Sequence, residues 1–344
     1  MSVATDLFKG TRYQRAKRDL LLSIKQEKEK IRSVKKSSSS VAFGLLDKIA
    51  QEFSETRGRP LYYPAIFSGL GNGPLVELLD GSVKYDFITG IGTHFFGHSD
   101  LDLISAAVHA ASQNVAMQGN LESGIEAKDF LKTLLSMSGK RLKMGWLSLS
   151  GTMANENALK VIRQKKSPAY KLIAFGDCFH GRSIVMADIT DNEEYRKGLH
   201  RYYDALYIPF FNPKDSSSIE KSVSALKGHL TQHRDEIAGF VFELVQGEGG
   251  FKQAPREFFT RLMDICREEK LTIWVDEVQT VGRTGELFAF QKFELDHYVD
   301  VVTVGKMLQN CATLYTEEYN PKPGLLAGTF CGSTVSLRVG TRIL

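Results

Sequence analysis

The chain of 344 residues predicts an α/β fold, a mainly parallel sheet sandwiched by helices. Short apolar runs alternate with helix-period segments, the pattern of strands joined by crossover helices. Two of these runs, residues 271–275 and 299–304, are rich in β-branched residues and largely apolar, as strands covered on both faces are. Each ends in groups able to do chemistry, Asp276 and Glu277 after the first and Gly305 and Lys306 after the second. Open α/β sheets bind ligands at the carboxyl ends of their strands. A carboxylate and an amine delivered to one sheet edge therefore define a candidate active site.

The elements follow in order. A helix is expected over residues 13–34, a polar linker at 37–40 and a second helix at 41–53. Glycine-rich strand and turn sequence fills 67–92, with Leu79, Asp80 and Gly81 as a hairpin turn. Helices are then expected at 101–113 and 125–136, a strand at 144–149, a helix at 153–164 and a strand at 171–175. A strand at 205–208, a helix at 219–234, a strand at 239–245 and a helix at 255–269 lead into the two chemical strands. A last helix is expected at 335–344. The domain division read from this order is a basic extension (1–40), the N-terminal part of a small domain (41–92) and a large domain (93–344).

Composition narrows the function class. The chain is 42% hydrophobic and 24% charged, ordinary for a globular protein. No apolar run approaches the ~18 residues of a membrane span. The four cysteines (Cys178, Cys266, Cys311 and Cys331) show no CxxC spacing, which suggests a reducing, cytoplasmic compartment and no metal site. Residues 1–40 hold eleven Lys/Arg against four acids, so this segment is +7 and the remainder −3. Its basic residues are interleaved with acids and few aromatics, so a solvated helical extension is expected and neither nucleic acid nor membrane as partner.

Several motifs surround the two strand ends. Ser150, Gly151 and Thr152 join a strand to a helix, where small residues let backbone N–H groups approach an anion; an ordinary helix cap reads the same. Phe179, His180, Gly181 and Arg182 follow another strand, and an aromatic there either covers a planar ligand or packs on the core. Glu243 interrupts an apolar strand ahead of Gln246, Gly247, Glu248 and Gly249, and a turn explains the glycines but not the acid. A magnesium-holding nucleotide site requires GxxxxGK[ST] upstream of the Asp-Glu pair, and the chain has none. His94 and His98 lack the HExxH pattern and read as loop histidines.

Taken together, SGTMANENALK, FHGRS, ELVQGEGG, VDEVQT, VVTVGK and GTFCGS occur in the order seen in class III (omega-type) aminotransferases, which the chain resembles from about Tyr63 to its last residue. The resemblance implies the aspartate-aminotransferase-like fold (pyridoxal-phosphate fold type I), pyridoxal 5′-phosphate as cofactor and a homodimer with shared active sites. It implies Lys306 as the Schiff-base lysine, Asp276 as partner of the pyridine nitrogen and Gln279 as partner of the phenolic oxygen. Gly151 and Thr152 would hold the phosphate, Phe179 would stack on the ring, and Thr329 would reach the phosphate bound by the partner subunit. Glu248 resembles the acid that lies beside the substrate.

The implied activity is transamination from an amine, or from the terminal amino group of an amino acid, to a 2-oxo acid such as 2-oxoglutarate. The alternatives are an aminomutase or decarboxylase of the same fold, or a catalytically incomplete relative serving as a dimerisation module. Gly305, Lys306, Gln309 and Cys311 are closer in wording to lysine 6-aminotransferases than to the acetylornithine and ornithine branch. The pattern is departed from after Gln279, where TVGRTG is one residue short, after Lys306, where MLQNCATLY replaces a glycine-rich run, and at Ser333 and Thr334. Leu344 stands where the resemblance implies a further portion completing the small domain.

Overall fold

The computed structural model describes residues 2–37, 40–63, 65–116 and 121–344. The chain forms two compact units, Met1–Val115 with Ile343 and Ala116–Arg342 with Leu344.

The first unit begins with helices α1 (Val3–Lys9), α2 (Thr11–Lys28) and α3 (Ser40–Arg57). The helix expected to reach residue 34 ends at Lys28, because the chain beyond it joins a sheet: Lys35 bridges Val83 and Ile31 packs with Leu75 and Val83. Ser38 and Ser39 of the expected linker lie outside the described residues. Strands β1 (Phe67–Asn72), β2 (Leu75–Leu78) and β3 (Val83–Tyr85) form an antiparallel sheet. The hairpin turn is as read from sequence, with Gly81 at φ 73° and Asp80 accepting from the Ser82 N–H at 3.0 Å. A single turn, α4 (Thr89–Gly92), precedes α5 (Leu101–Ala111), which Asp100 caps at 2.9 Å from the Leu103 N–H. His98 is a loop histidine held by Asp86 at 2.7 Å.

The second unit carries α6 (Ile125–Met137), β4 (Met144–Ser148), α7 (Gly151–Lys166), β5 (Lys171–Phe175), α8 (Ile184–Ile189), β6 (Leu206–Ile208) and α9 (Ser218–Gln232). It continues with β7 (Ile237–Phe242), β8 (Val245–Gln246), β9 (Lys252–Gln253), α10 (Arg256–Glu268), β10 (Thr272–Glu277), α11 (Ala289–Lys292), β11 (Val301–Val304), β12 (Cys311–Tyr315) and α12 (Thr334–Ile343). Seven strands form one sheet in the order β4-β12-β11-β10-β7-β5-β6. Every strand but β12 runs the same way, since β12 is antiparallel to both β11 and β4. The sheet is mainly parallel, as expected; the reversed strand was not. It comes from CATLY, within the segment that departs from the glycine-rich pattern, and its five residues are all buried.

Two expected boundaries move for physical reasons. The strand placed at 239–245 stops at Phe242, and Val245 and Gln246 pair instead with Lys252 and Gln253 in a separate ribbon. The helix placed at 153–164 begins at Gly151, because Ser150 is its N-cap and accepts from the Met153 N–H at 3.2 Å.

Period-2 alternation divides the core between the sheet's faces. Trp274 and Val241 pack in one cluster with Ala158, Leu159 and Ile162 of α7. Phe175 and Phe242 meet Phe258 and Phe259 of α10 in ring contacts of 5.4 and 5.9 Å. Asp276 shares the phase of Trp274 and so faces α7; Glu277 faces the other way.

Candidate active site

Five parallel strands lead toward one cavity of about 270 Å³. It is lined by Gly151 and Thr152 after β4, Phe179 and His180 after β5, Glu243 after β7, Asp276 and Gln279 at the end of β10, and Lys306 after β11. Cys311, which opens β12, adds a thiol from the same edge. The strand-end carboxylate and amine thus meet, as the sequence predicts.

Asp276 is 4% exposed and well supplied with donors. Its Oδ2 accepts from His180 Nδ1 and from Asn155 Nδ2, each at 2.8 Å, and its Oδ1 accepts from the Val278 N–H at 3.0 Å. Asn155 also donates to the His180 carbonyl at 2.7 Å, locking the two donors to each other. Burial works against charge on His180, but Cys178 and the Asp276 hydrogen bond outweigh it and the imidazole pKa is raised.

Lys306 Nζ donates to Gln279 Oε1 at 2.8 Å. Burial first, and then the Arg283 guanidinium, lower its pKa, against the pull of Asp276, Glu248 and Glu243. The Lys306 backbone sits at φ 44°, a left-handed conformation that side chains other than glycine adopt only when their surroundings enforce it. Next to it, a Cβ on Gly305 would stand 2.8 Å from Cys311 Sγ.

Gly151 and Thr152 open the 16-residue helix α7, whose first N–H groups have no partner within the helix. A Cβ on Gly151 would meet Val278 Cγ1 at 2.6 Å, so the close approach of this helix to the loop after β10 requires glycine. The neighbouring Gly181, at φ 128°, lies against Thr152 in the same way. Phe179 is braced by Arg182, whose guanidinium lies 5.9 Å from its ring and 3.9 Å from that of Tyr195.

Among the described residues, the cavity lining does not include Glu248 or Thr329. Glu248 borders a separate, polar cavity of about 200 Å³ that Phe179 also lines. Thr329 is exposed. Glu277 is fully buried elsewhere, accepting from the Phe290 N–H at 2.9 Å and from the Thr280 hydroxyl. Sequence reasoning missed Asn155 and gave His180 no role. Asn155 stands four residues after Gly151, one turn along the same helical face, and that spacing was the available signal.

The family model described as "Aminotransferase class-III" matches residues 62–344. An acetylornithine aminotransferase from Aquifex aeolicus is 29% identical over 285 residues, 80% of this chain and 72% of that protein. A diaminobutyrate–2-oxoglutarate transaminase from Vibrio cholerae is 28% identical over 87% of this chain and 74% of its own length. A solved lysine aminotransferase from M. tuberculosis superposes with a TM-score of 0.75 at 22% identity, over 86% of this chain and 75% of that one. The fold is therefore that of the type I pyridoxal-phosphate enzymes. The chain belongs to the class III aminotransferases, transaminases that use pyridoxal 5′-phosphate.

Proposed function

We propose that this chain moves an amino group from an amine, or from the terminal amino group of an amino acid, to a 2-oxo acid of the 2-oxoglutarate type, with Lys306 as covalent anchor and proton carrier. The observation carrying this reading is Lys306 Nζ, held 2.8 Å from Gln279 Oε1 in the cavity that Asp276 and the start of α7 also line.

The donors and acceptors present fit pyridoxal phosphate. A carboxylate offers about four lone pairs, and three donors reach Asp276, so an acceptor position remains for a pyridine N–H. The first turn of α7, at Gly151 and Thr152, offers N–H groups and the helix dipole to a phosphate. Phe179 supplies an aromatic face. When bound, pyridoxal phosphate supplies an electron sink for the pair left on the donor carbon as its proton departs.

The chain's own residues do the rest. Asp276, backed by His180 and Asn155, holds the ring-nitrogen proton. Gln279 orients the Lys306 amine. Because its pKa is lowered, Lys306 is available in its neutral form nearer neutrality, able to take the proton from the donor carbon and return it on the other side of the reaction. Glu248, whose charge reaches Lys306, would serve the substrate side. Thr329 serves the phosphate of a partner subunit, so the working form is a homodimer. All four cysteines are free and buried, which supports a cytoplasmic setting, and among the described residues no helix is long and apolar enough to cross a membrane.

The test is optical. The chain purified with pyridoxal phosphate should show a visible absorption band that borohydride fixes covalently to Lys306. A terminal-amino donor should bleach the band, and 2-oxoglutarate should restore it. Absence of the band would sink the cofactor reading; a band that no donor bleaches would leave the chain a cofactor-binding module without transamination.

A further inference from the structure

We propose that Glu243 is a positioning residue of this site: a single buried carboxylate that ties together the two loop walls between which the cofactor is held. The proposal rests on the cofactor reading above. It also answers why an acid follows directly on the six buried residues of β7.

Glu243 is 4% exposed and lines the cavity. Its two oxygens are divided between two loops. Oε1 accepts from the Phe179 N–H at 3.0 Å, in the loop after β5, and Oε2 accepts from the Gly247 N–H at 3.1 Å, in the loop after β8. Both anchored residues bear on groups with a role in the site. Phe179 presents its ring to the cavity. Gly247 presses so closely on Gln279 that a Cβ there would lie 2.3 Å from Gln279 Cδ, and Gln279 in turn holds Lys306 Nζ at 2.8 Å. Releasing the Gly247 N–H would free the surface against which Gln279 is seated. Releasing the Phe179 N–H would let its ring drift.

Glu277 is the control within the same fold. It is as deeply buried, but its partners Thr280 and Phe290 are absent from the lining of the Lys306 cavity. Only a carboxylate can meet two converging N–H donors with two acceptor oxygens. Glutamine offers one acceptor and turns an NH₂ on the second N–H.

The charged groups facing Glu243 are His180 and Asp276, and its charge also reaches Lys306. Burial pushes the Glu243 pKa up to about 7, with His180 opposing and Asp276 adding. Protonation makes one oxygen an O–H, which confronts an N–H and opens one of the two ties. The grip on the cofactor should therefore strengthen as pH rises through about 7.

The experiment compares the full-length wild type with Glu243→Gln and Glu243→Asp. Pyridoxal-phosphate affinity is read from the visible band across pH 6 to 8.5, beside thermal unfolding without cofactor. We expect wild-type affinity to climb through that range. Glu243→Gln should bind about tenfold more weakly at the alkaline end, as for one lost buried hydrogen bond, and its affinity should climb less than that of the wild type, keeping only the rise that Lys306 brings to every variant. Glu243→Asp should keep the climb with intermediate affinity, since it titrates but is too short to reach both N–H groups. If Glu243→Gln binds like wild type with the same climb, or changes only the unfolding temperature, the positioning role is overturned. If Glu243→Gln does not fold, Glu243→Asp decides alone, and wild-type affinity there overturns the proposal. A wild type that takes up no pyridoxal phosphate overturns the cofactor reading and this proposal with it; a binding wild type with an indifferent variant overturns only this one.

Discussion

Replacing Glu277 by glutamine removes a buried acid from outside the cavity and should make the chain more stable at neutral pH. Glu277 is 0% exposed, and burial raises its pKa from the ordinary 4.5 to about 7, with Thr280 and two backbone N–H groups opposing. The folded chain therefore keeps this proton up to about pH 7, whereas the unfolded chain releases it near 4.5. Between those values the folded state binds more protons, so the stabilisation is complete below the lower one and is lost as pH rises through the upper one. At about 1.4 kcal/mol for each pH unit, the difference is roughly 3 kcal/mol. Glutamine keeps these partners: its carbonyl accepts from the Ala289 and Phe290 N–H groups, and its NH₂ donates to Thr280 Oγ1, whose hydroxyl can accept as well as donate. Urea unfolding of the two proteins without cofactor should give equal stability near pH 4.5 and an advantage for Glu277→Gln approaching roughly 3 kcal/mol at pH 8. Parallel pH curves, or a variant less stable at pH 8, would refute the reasoning.

Asp276→Asn keeps the shape and the Val278 contact but cannot balance a protonated pyridine nitrogen. Single-turnover bleaching by an amino donor should slow by roughly two orders of magnitude or more, with the cofactor still bound. Arg283→Met should move the titration of Lys306 upward, because Arg283 follows burial as the cause of its lowered pKa; a pH–rate profile whose limb stays fixed would remove that role. Gly151→Ala forces a methyl to within 2.6 Å of Val278 Cγ1, so thermal unfolding should register a loss of about 1–3 kcal/mol together with weaker cofactor retention.

Most of the sheet was legible because buried parallel strands announce themselves as apolar runs with abrupt polar ends. Leu172 to Phe175, Ile237 to Phe242 and Val301 to Val304 are buried throughout, and nothing competes with that signal. β12 escaped because its residues follow a strained turn, with Lys306 and Gln309 both at positive φ, so no conventional linker marks where the strand begins. The site was legible where chemistry coincides with a strand end, as at Asp276 and Lys306. It was illegible where a polar side chain is recruited across the sheet. His180 lies 96 positions from the Asp276 it touches and Asn155 lies 121; no local periodicity encodes such a pairing. Glu243 was visible as an anomaly, and only the two N–H groups that converge on it give the anomaly a purpose.

Adjacent acids in a strand need not share a fate, and β10 shows why. Alternation sends Asp276 to the α7 face and Glu277 to the opposite one, so the pair read as one feature in sequence becomes two in space. What separates them is the kind of partner each face supplies. Toward α7, Asp276 finds an imidazole, an amide and a backbone N–H, with a cavity beyond them. On the other face Glu277 finds the nearby Thr280 hydroxyl and the Phe290 N–H of α11, and it does not line the Lys306 cavity. A carboxylate whose donors come from three separate segments while one acceptor position still faces a cavity is arranged to hold something further. One whose donors come from the stretch that follows it in sequence, away from the cavity, is arranged to hold its own chain. By that criterion Glu243 falls between the two: its partners are backbone, yet they belong to the two loops that bound the cavity, so changing it should register in cofactor affinity, and changing Glu277 in stability alone.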